Sequence, residues 1–303
     1  MKLLVNRAPR YNQSYGGGNA FLIALWEFAS AHGVTLSTKL NAAADVVFMF
    51  DPRADELGIG AAEIERYKLF HTRAKVVQRV NECDLRKGET DIIDPILRKA
   101  SGLTHHTFWV SDWMKEYHLR NGWNCESHSV LVNGVAPYFK PYGEKHNNGL
   151  VNIVSAHWSS NKYKGQDVYE WLDRLVKAYP ERFSFTYIGR TEAHLPNSRV
   201  IEPLFGEELA RELSLYDVYV TGTRADPGPN HCAESISCGL PTYAHFQGGG
   251  ACEFVGQSHV FHNEIELSKI LSDKIFPPNE TSFQGWESVM KTFFSELERI
   301  CSQ

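Results

Sequence analysis

The sequence has no Asp-x-Asp pair, no C-x-x-C pair, no long apolar run and no surplus of positive charge, and each absence removes a class of function. Six cysteines (Cys83, Cys125, Cys232, Cys238, Cys252, Cys301) are scattered along the chain. That scatter fits neither a disulfide framework nor a zinc site, so reduced, mostly buried thiols are expected. The opening MKLLVNRAPRY returns to charge after a very short apolar run, too short for a signal peptide or a spanning helix, which predicts a cytoplasmic protein. The 31 Lys+Arg against 36 Asp+Glu give a formal charge of -5, which argues against a protein that coats nucleic acid. Residues 1–144 carry 17 basic against 16 acidic residues, and the remainder 14 against 20. A weakly basic, membrane-facing patch therefore belongs to the first half alone, and membrane contact is expected to be peripheral at most. The G-x-S-x-G elbow, the P-loop and H-E-x-x-H are also missing, leaving hydrolase, kinase-like and zinc-protease readings without a motif.

What is present is 303 residues, 43% hydrophobic and 22% charged, enough for two domains that each bury a core. Strand-like runs at Leu3–Asn6, Val46–Phe50, Lys75–Val80, Thr107–Val110 and Ser129–Val132 alternate with amphipathic stretches. After Pro141–Gly149, a polar, turn-rich segment read as the interdomain linker, the rhythm restarts. Its strands are Val151–Ala156, Phe183–Ile188, Arg199–Ile201, Val218–Thr221 and Pro241–Ala244; helices fit Gln166–Tyr179, Glu207–Leu215, Asn230–Cys238 and Phe283–Ile300. Such alternation predicts two doubly wound α/β domains with a cleft at the carboxyl ends of their strands.

The densest chemistry runs from Thr221 to Glu253. A strand ends at Thr221, a Pro/Gly-rich loop follows, and a helix starts near Asn230, so backbone N–H groups and a positive helix end face the loop. Those are the parts of a pyrophosphate site, with Asn230 and His231 at the helix start. Asp226 in the loop and Glu234 inside the helix suit sugar and ribose hydroxyls on either side of it; spacing alone favours the plainer reading, a loop aspartate and a helix-surface glutamate. Lys164, before a glycine that opens a helix, suits donor phosphates. Gly16, Gly17 and Gly18, within Tyr15-Gly-Gly-Gly-Asn19 and before the helix Ala20–Ala31, allow close backbone approach to a phosphate or donor sugar, or simply a turn. Phe21 stands where a dinucleotide fingerprint needs its third glycine. Arg79 and Asn81, at a strand end facing the cleft, are candidates for donor-sugar or acceptor contact. Trp158 beside His157 reads as core packing.

The order Asp226-x7-Glu234, Cys238-Gly-Leu-Pro241, Gly248-Gly-Gly250 and Glu253 resembles the donor site of family 4 glycosyltransferases. Their pattern is Glu-x7-Glu, C-G-x-P, a glycine pair and a following glutamate. Asn133-Gly-Val135 with Phe139-Lys-Pro141, Lys164-Gly165 and Asp217-Val-Tyr-Val220 are similar to further family blocks. The likeness spans the second domain and reaches the first through its glycine loop and topology. Aspartate replaces the first glutamate at Asp226. The arginine of the family's G-R-L segment is absent, and Ser155–Lys164 stands in its place, offering His157, Asn161 or Lys162 as substitutes. In the family's glycine loop near the base stand Gly189 and Arg190.

The resemblance implies a GT-B fold, two Rossmann-like doubly wound domains facing a central cleft: residues 1–144 on the acceptor side and 145–303 on the donor side. The last helix, about 283–300, is free to cross back to the first domain. It implies a retaining, metal-independent glycosyltransferase of carbohydrate biosynthesis, with no cofactor and a UDP-, GDP-, dTDP- or ADP-sugar donor. The acceptor would be a glycan or lipid-linked glycan. Without Asp-x-Asp, the leaving diphosphate must be neutralised by lysine, backbone N–H groups and a helix end. A nucleotide-sugar epimerase or phosphorylase, or a catalytically silent nucleotide-sugar-binding subunit, shares these features.

Overall fold

The computed structural model describes residues 1–11, 16–40, 43–143 and 145–303. Tyr15 of the glycine loop and Glu144 of the expected linker lie outside the described residues. The chain forms two compact units: Met1–Gly134 with Gln284–Gln303 (unit 1) and Val135–Phe283 (unit 2).

In unit 1 the order is β1 (Lys2–Val5), α1 (Gly17–Ala31), β2 (Thr35–Ser37), β3 (Val46–Met49), α2 (Ala61–Phe70), β4 (Lys75–Val80), α3 (Asp94–Ser101), β5 (His106–Trp109), α4 (Asp112–Arg120) and β6 (His128–Val130). The strands form one parallel sheet, β2-β1-β3-β4-β5-β6. Strand order reverses between β1 and β3, and the loops after those strands flank the switch point where α/β sheets take ligands. Buried Asn6 ties the two loops: its amide donates to Asp51 O (2.6 Å) and Ile59 O (3.0 Å) and accepts from Phe50 N (2.8 Å). Helix α1 begins at Gly17, ahead of the Ala20 expected from apolar spacing. Its first turn is glycine and asparagine, which carry no periodic apolar signal. Strand β2, only three residues long, went unread for the same reason.

In unit 2 the order is β7 (Val151–His157), α5 (Gln166–Ala178), β8 (Phe183–Gly189), β9 (Arg199–Ile201), α6 (Gly206–Leu213), β10 (Val218–Thr221), α7 (Asn230–Ser237), β11 (Thr242–His245), α8 (Gly250–Val255), β12 (Val260–Phe261) and α9 (Glu264–Asp273). Its parallel sheet runs β12-β11-β10-β7-β8-β9, so the switch point lies between β7 and β10. The stretch after Val135 packs on this unit: His146 N donates to Leu215 O at 2.8 Å, and Pro141 lies against Gly239.

Helix α10 (Trp286–Cys301) closes the chain and belongs to unit 1. Phe293 carries it into that core, with ring centroids 5.5 Å from Phe21 and 5.1 Å from both Phe48 and Phe108. Unit 2 has its own core, in which Tyr169 and Leu172 of α5 meet Phe185 and Tyr187 of β8. All six cysteines are free thiols; Cys83, Cys232 and Cys238 are buried, whereas Cys301 at the end of α10 is exposed. Among the described residues no helix is long and apolar enough to cross a membrane.

Candidate active site

The switch point of unit 2 joins the loop after β7 to the loop after β10, and glycine makes the junction. Gly165 has φ 95°, and a Cβ there would lie 2.3 Å from the carbonyl carbon of Gly222. Two backbones touch where any side chain would hold them apart. The contact brings Lys164 to Asp226: Nζ donates to Oδ2 at 2.5 Å, with side chains only 12% and 7% exposed. Thr223 Oγ1 donates to the same oxygen at 3.4 Å.

A second glycine junction fixes Asp226 from behind. Its N–H donates to Gly248 O (3.0 Å) and its carbonyl accepts from Gly250 N (2.8 Å), while Ala225 N donates to Gln247 O (2.8 Å). A Cβ on Gly249 would sit 2.9 Å from Ala225 Cα, and one on Gly250 2.7 Å from Pro227 O. The run Gly248–Gly250 is thus the seat of the Asp226 loop.

His157 ends β7 in the same place. Its Nε2 lies 2.5 Å from the Tyr169 hydroxyl, which accepts from Gly222 N at 3.1 Å. Burial holds the imidazole well below its ordinary pKa, so the ring is neutral, and pushes the Tyr169 phenol up. The phenol proton then serves His157 Nε2. His231 packs edge-on against His157, centroids 4.5 Å apart, with its Nε2 3.2 Å from Thr221 Oγ1. Gly189, at φ 127°, closes over His157: a Cβ there would fall 1.7 Å from His157 O. Arg190 donates its backbone N–H to that oxygen at 3.2 Å and leaves its side chain exposed.

Helix α7 starts at Asn230, and its N-cap, Pro229, makes no side-chain capping bond; Cys232 N reaches back to Pro229 O at 3.0 Å. Glu234 is half-buried one turn in, and its carboxylate makes no hydrogen bond among the described residues. Burial pushes its pKa up to about 7. Lys164, Asp226, His157, Gly189, Arg190, Asn230, His231 and Glu234 thus all belong to the carboxyl edge of the unit 2 sheet.

Asn81, Gly17 and Gly18 belong to unit 1. A Cβ on Gly18 would lie 2.9 Å from Asn81 Nδ2 and 2.9 Å from Phe50 Cζ, and Asn133 Nδ2 donates to Gly17 O at 3.3 Å. The candidates therefore fall into two groups, one per unit. Among the described residues no three His, Cys, Asp or Glu gather as metal ligands.

No family model matches the sequence, and no curated protein does. Solved structures match along nearly the whole chain. HepE from Anabaena, in complex with UDP and glucose, superposes with a TM-score of 0.72 at 13% identity over 98% of this chain and 99% of that one. Sucrose-phosphate synthase from Thermosynechococcus elongatus gives 0.70 at 14% identity over 98% and 99%. The catalytic domain of starch synthase IV from Arabidopsis thaliana, bound to ADP and acarbose, gives 0.62 at 11% identity over 97% and 80%. The fold is GT-B.

Within this GT-B chain several participants were not legible beforehand. Tyr169 reads in sequence as one more apolar position of an amphipathic helix, yet its hydroxyl links His157 to Gly222. Asn133, noted only for the likeness of Asn133-Gly-Val135 to a family block, bonds both Gly17 and Arg79. Trp158, expected as core packing, is 37% exposed, because the strand ends at His157 and the chain turns outward there. Of the residues offered for the missing arginine, Asn161 is occupied as a cap, its Oδ1 accepting from Tyr163 N at 2.9 Å.

Proposed function

We propose that the protein is a glycosyltransferase, metal-independent and retaining, that takes a sugar from a nucleotide-sugar donor held mainly by unit 2 and passes it to a glycan or lipid-linked glycan. The Lys164–Asp226 pair at the switch point carries this reading. An ammonium with three donors, nearly desolvated beside a helix start, suits the charge that builds on a departing diphosphate. Support also comes from the GT-B structures that match, one described with UDP and glucose and another with ADP.

In this account Lys164 gives one N–H to Asp226 and turns the others to the diphosphate, whose far side meets the first turn of α7. Asp226 holds Lys164 in place and offers its remaining lone pairs to a hydroxyl of the transferred sugar. Glu234 binds the ribose hydroxyls as a carboxylate, and Gly189 with Arg190 borders the base. Neutral His157, fixed by Tyr169, keeps a second cation away from Lys164 and can donate its Nδ1–H to the sugar. Asn81, Gly17 and Gly18 are assigned to the remaining contacts with donor or acceptor.

Turnover of a donor panel tests the proposal. One of UDP-, GDP-, dTDP- or ADP-glucose should be hydrolysed slowly in the presence of EDTA. Binding without any turnover would favour the silent subunit, and activity restored only by magnesium or manganese would overturn the leaving-group mechanism.

A further inference from the structure

Unit 2 has a second concavity, at the edge of its sheet opposite the candidate active site. His157 and Gly189 end β7 and β8 at the carboxyl edge, whereas Asn152 and Ser184 stand second in the same strands. The strand from Asn152 to His157 spans about 16 Å. At the amino edge a cavity of about 230 Å³ opens, lined in part by Asn148, Asn152, Ser184, Thr186 and Arg199.

Strand register explains its chemistry. Asn152 pairs with Ser184 and Thr186 with Arg199, so these residues share one side of the sheet, while Phe183, Phe185 and Tyr187 enter the core from the other. Further along the first side stand Val154, Ala156 and Ile188, all buried, so only its amino half is polar. Buried amides and hydroxyls are costly unless bonded, and here the bonds run behind the cavity wall. Asn152, 1% exposed, accepts at Oδ1 from Ser184 Oγ (2.8 Å) and Asn148 Nδ2 (2.9 Å), and its Nδ2 donates to Asp217 Oδ2 (3.0 Å). Asp173 of α5 accepts from Asn197 N (2.8 Å) and Nδ2 (2.7 Å), which fixes the turn before β9. The second N–H of Asn148 and the lone pairs of the Ser184 and Thr186 hydroxyls are left for a ligand.

Charge and shape narrow the ligand. Arg199 is the one permanently charged side chain lining the cavity among the described residues, and Glu212 pairs with it at 3.4 Å. No surplus of charge is left for a phosphoryl or carboxylate group. His146 and Tyr216 line the same cavity with ring centroids 5.2 Å apart, edge to face, and the Tyr216 hydroxyl donates to Glu212 Oε1 at 2.8 Å. Amides, hydroxyls and aromatic rings together match a ring that carries hydroxyls on its rim and C–H on its faces. The volume is below the roughly 300–1,000 Å³ of pockets for drug-sized molecules and suits a single pyranose.

We infer that the amino edge of unit 2 carries a second site, which takes one neutral sugar residue through Asn148, Ser184, Thr186 and Arg199. The sugar is either a free monosaccharide or one unit of a glycan chain. The site is argued from unit 2 alone; reading a bound chain as a tethered acceptor rests on the proposed transferase function.

Ligand-observed NMR and calorimetry on the full chain test it, with glucose, galactose and N-acetylglucosamine as single sugars and maltohexaose and chitohexaose as chains. At least one should bind, with a Kd of about 1 mM for a single sugar. Asn148→Ala and Arg199→Ala should each weaken it severalfold, and Ser184→Leu, which fills the cavity, at least tenfold. The first two alter exposed side chains and keep the test open if Ser184→Leu does not fold. Lys164→Ala should weaken UDP and leave the sugar response unchanged, as should saturating UDP, so failure of either site shows separately. A chain bound at least tenfold more tightly than its own monosaccharide assigns the cavity to a glycan; equal affinity assigns it to a free sugar. Sugar affinity unchanged in Asn148→Ala, Arg199→Ala and Ser184→Leu alike, or no response of the native chain to any of these sugars, overturns the inference.

Discussion

Lys164→Ala separates what the lysine does for the fold from what it does for a ligand. Lys164 and Asp226 are 12% and 7% exposed and 2.5 Å apart, so deleting the cation leaves a carboxylate desolvated and unpaired by it. Breaking such a buried pair costs about 3–5 kcal/mol. Removing the carboxylate's charge as well, in Lys164→Ala/Asp226→Asn, should recover most of that loss in urea unfolding. Ligand binding should not recover. A charge-assisted bond to a diphosphate is worth about 1.5–3 kcal/mol, which corresponds to roughly 10- to 150-fold weaker UDP binding in both variants. Calorimetry on the double variant is the decisive assay, because it is the one expected to fold well. Native-like UDP affinity there would refute the assignment of Lys164 to the diphosphate.

Gly165→Ala should destabilise unit 2 by more than about 1 kcal/mol, since φ is 95° and the new Cβ meets the Gly222 carbonyl carbon at 2.3 Å, and should weaken UDP through the displaced Lys164 loop; urea unfolding and calorimetry read both. For Glu234, a pKa raised to about 7 means that the folded chain holds the proton more tightly than the unfolded chain. Its contribution to stability is therefore full below the ordinary carboxylate pKa and lost as pH rises through about 7. Glu234→Gln should then raise the melting temperature at pH 8 but not at pH 4, and should remove the decline in donor affinity as native Glu234 is protonated below about pH 7. Phe293→Ala should cost about 3–5 kcal/mol in unit 1, because three aromatic rings of the core pack on it.

Alternation of strand and helix was readable because parallel strands buried on both faces appear as short apolar runs, as in Val218–Thr221 and Val151–His157. What escaped was short or glycine-led. Strand β12 has two residues, and α8 opens on Gly250 directly after a glycine pair, so neither offers a period to count. Composition could point to the glycines around Asp226 but not to their task, which is to seat one loop's backbone against another's. Nor could it reveal partners. The hydroxyl of Tyr169 reaches His157 from a different element, and the Arg79–Asn133 bond spans 54 positions, so both depend on topology. The exposed Trp158 was misread because a tryptophan beside a strand usually packs inward.

The most direct test of the account is NMR-monitored turnover of UDP-, GDP-, dTDP- and ADP-glucose by the native chain in EDTA, with Lys164→Ala alongside. The account predicts that one donor is consumed, that the sugar first appears with the donor's anomeric configuration, and that the variant is at least tenfold slower, the minimum expected from losing one charge-assisted contact, about 1.5 kcal/mol. Absence of turnover for every donor, or equal rates in native and variant, would contradict it.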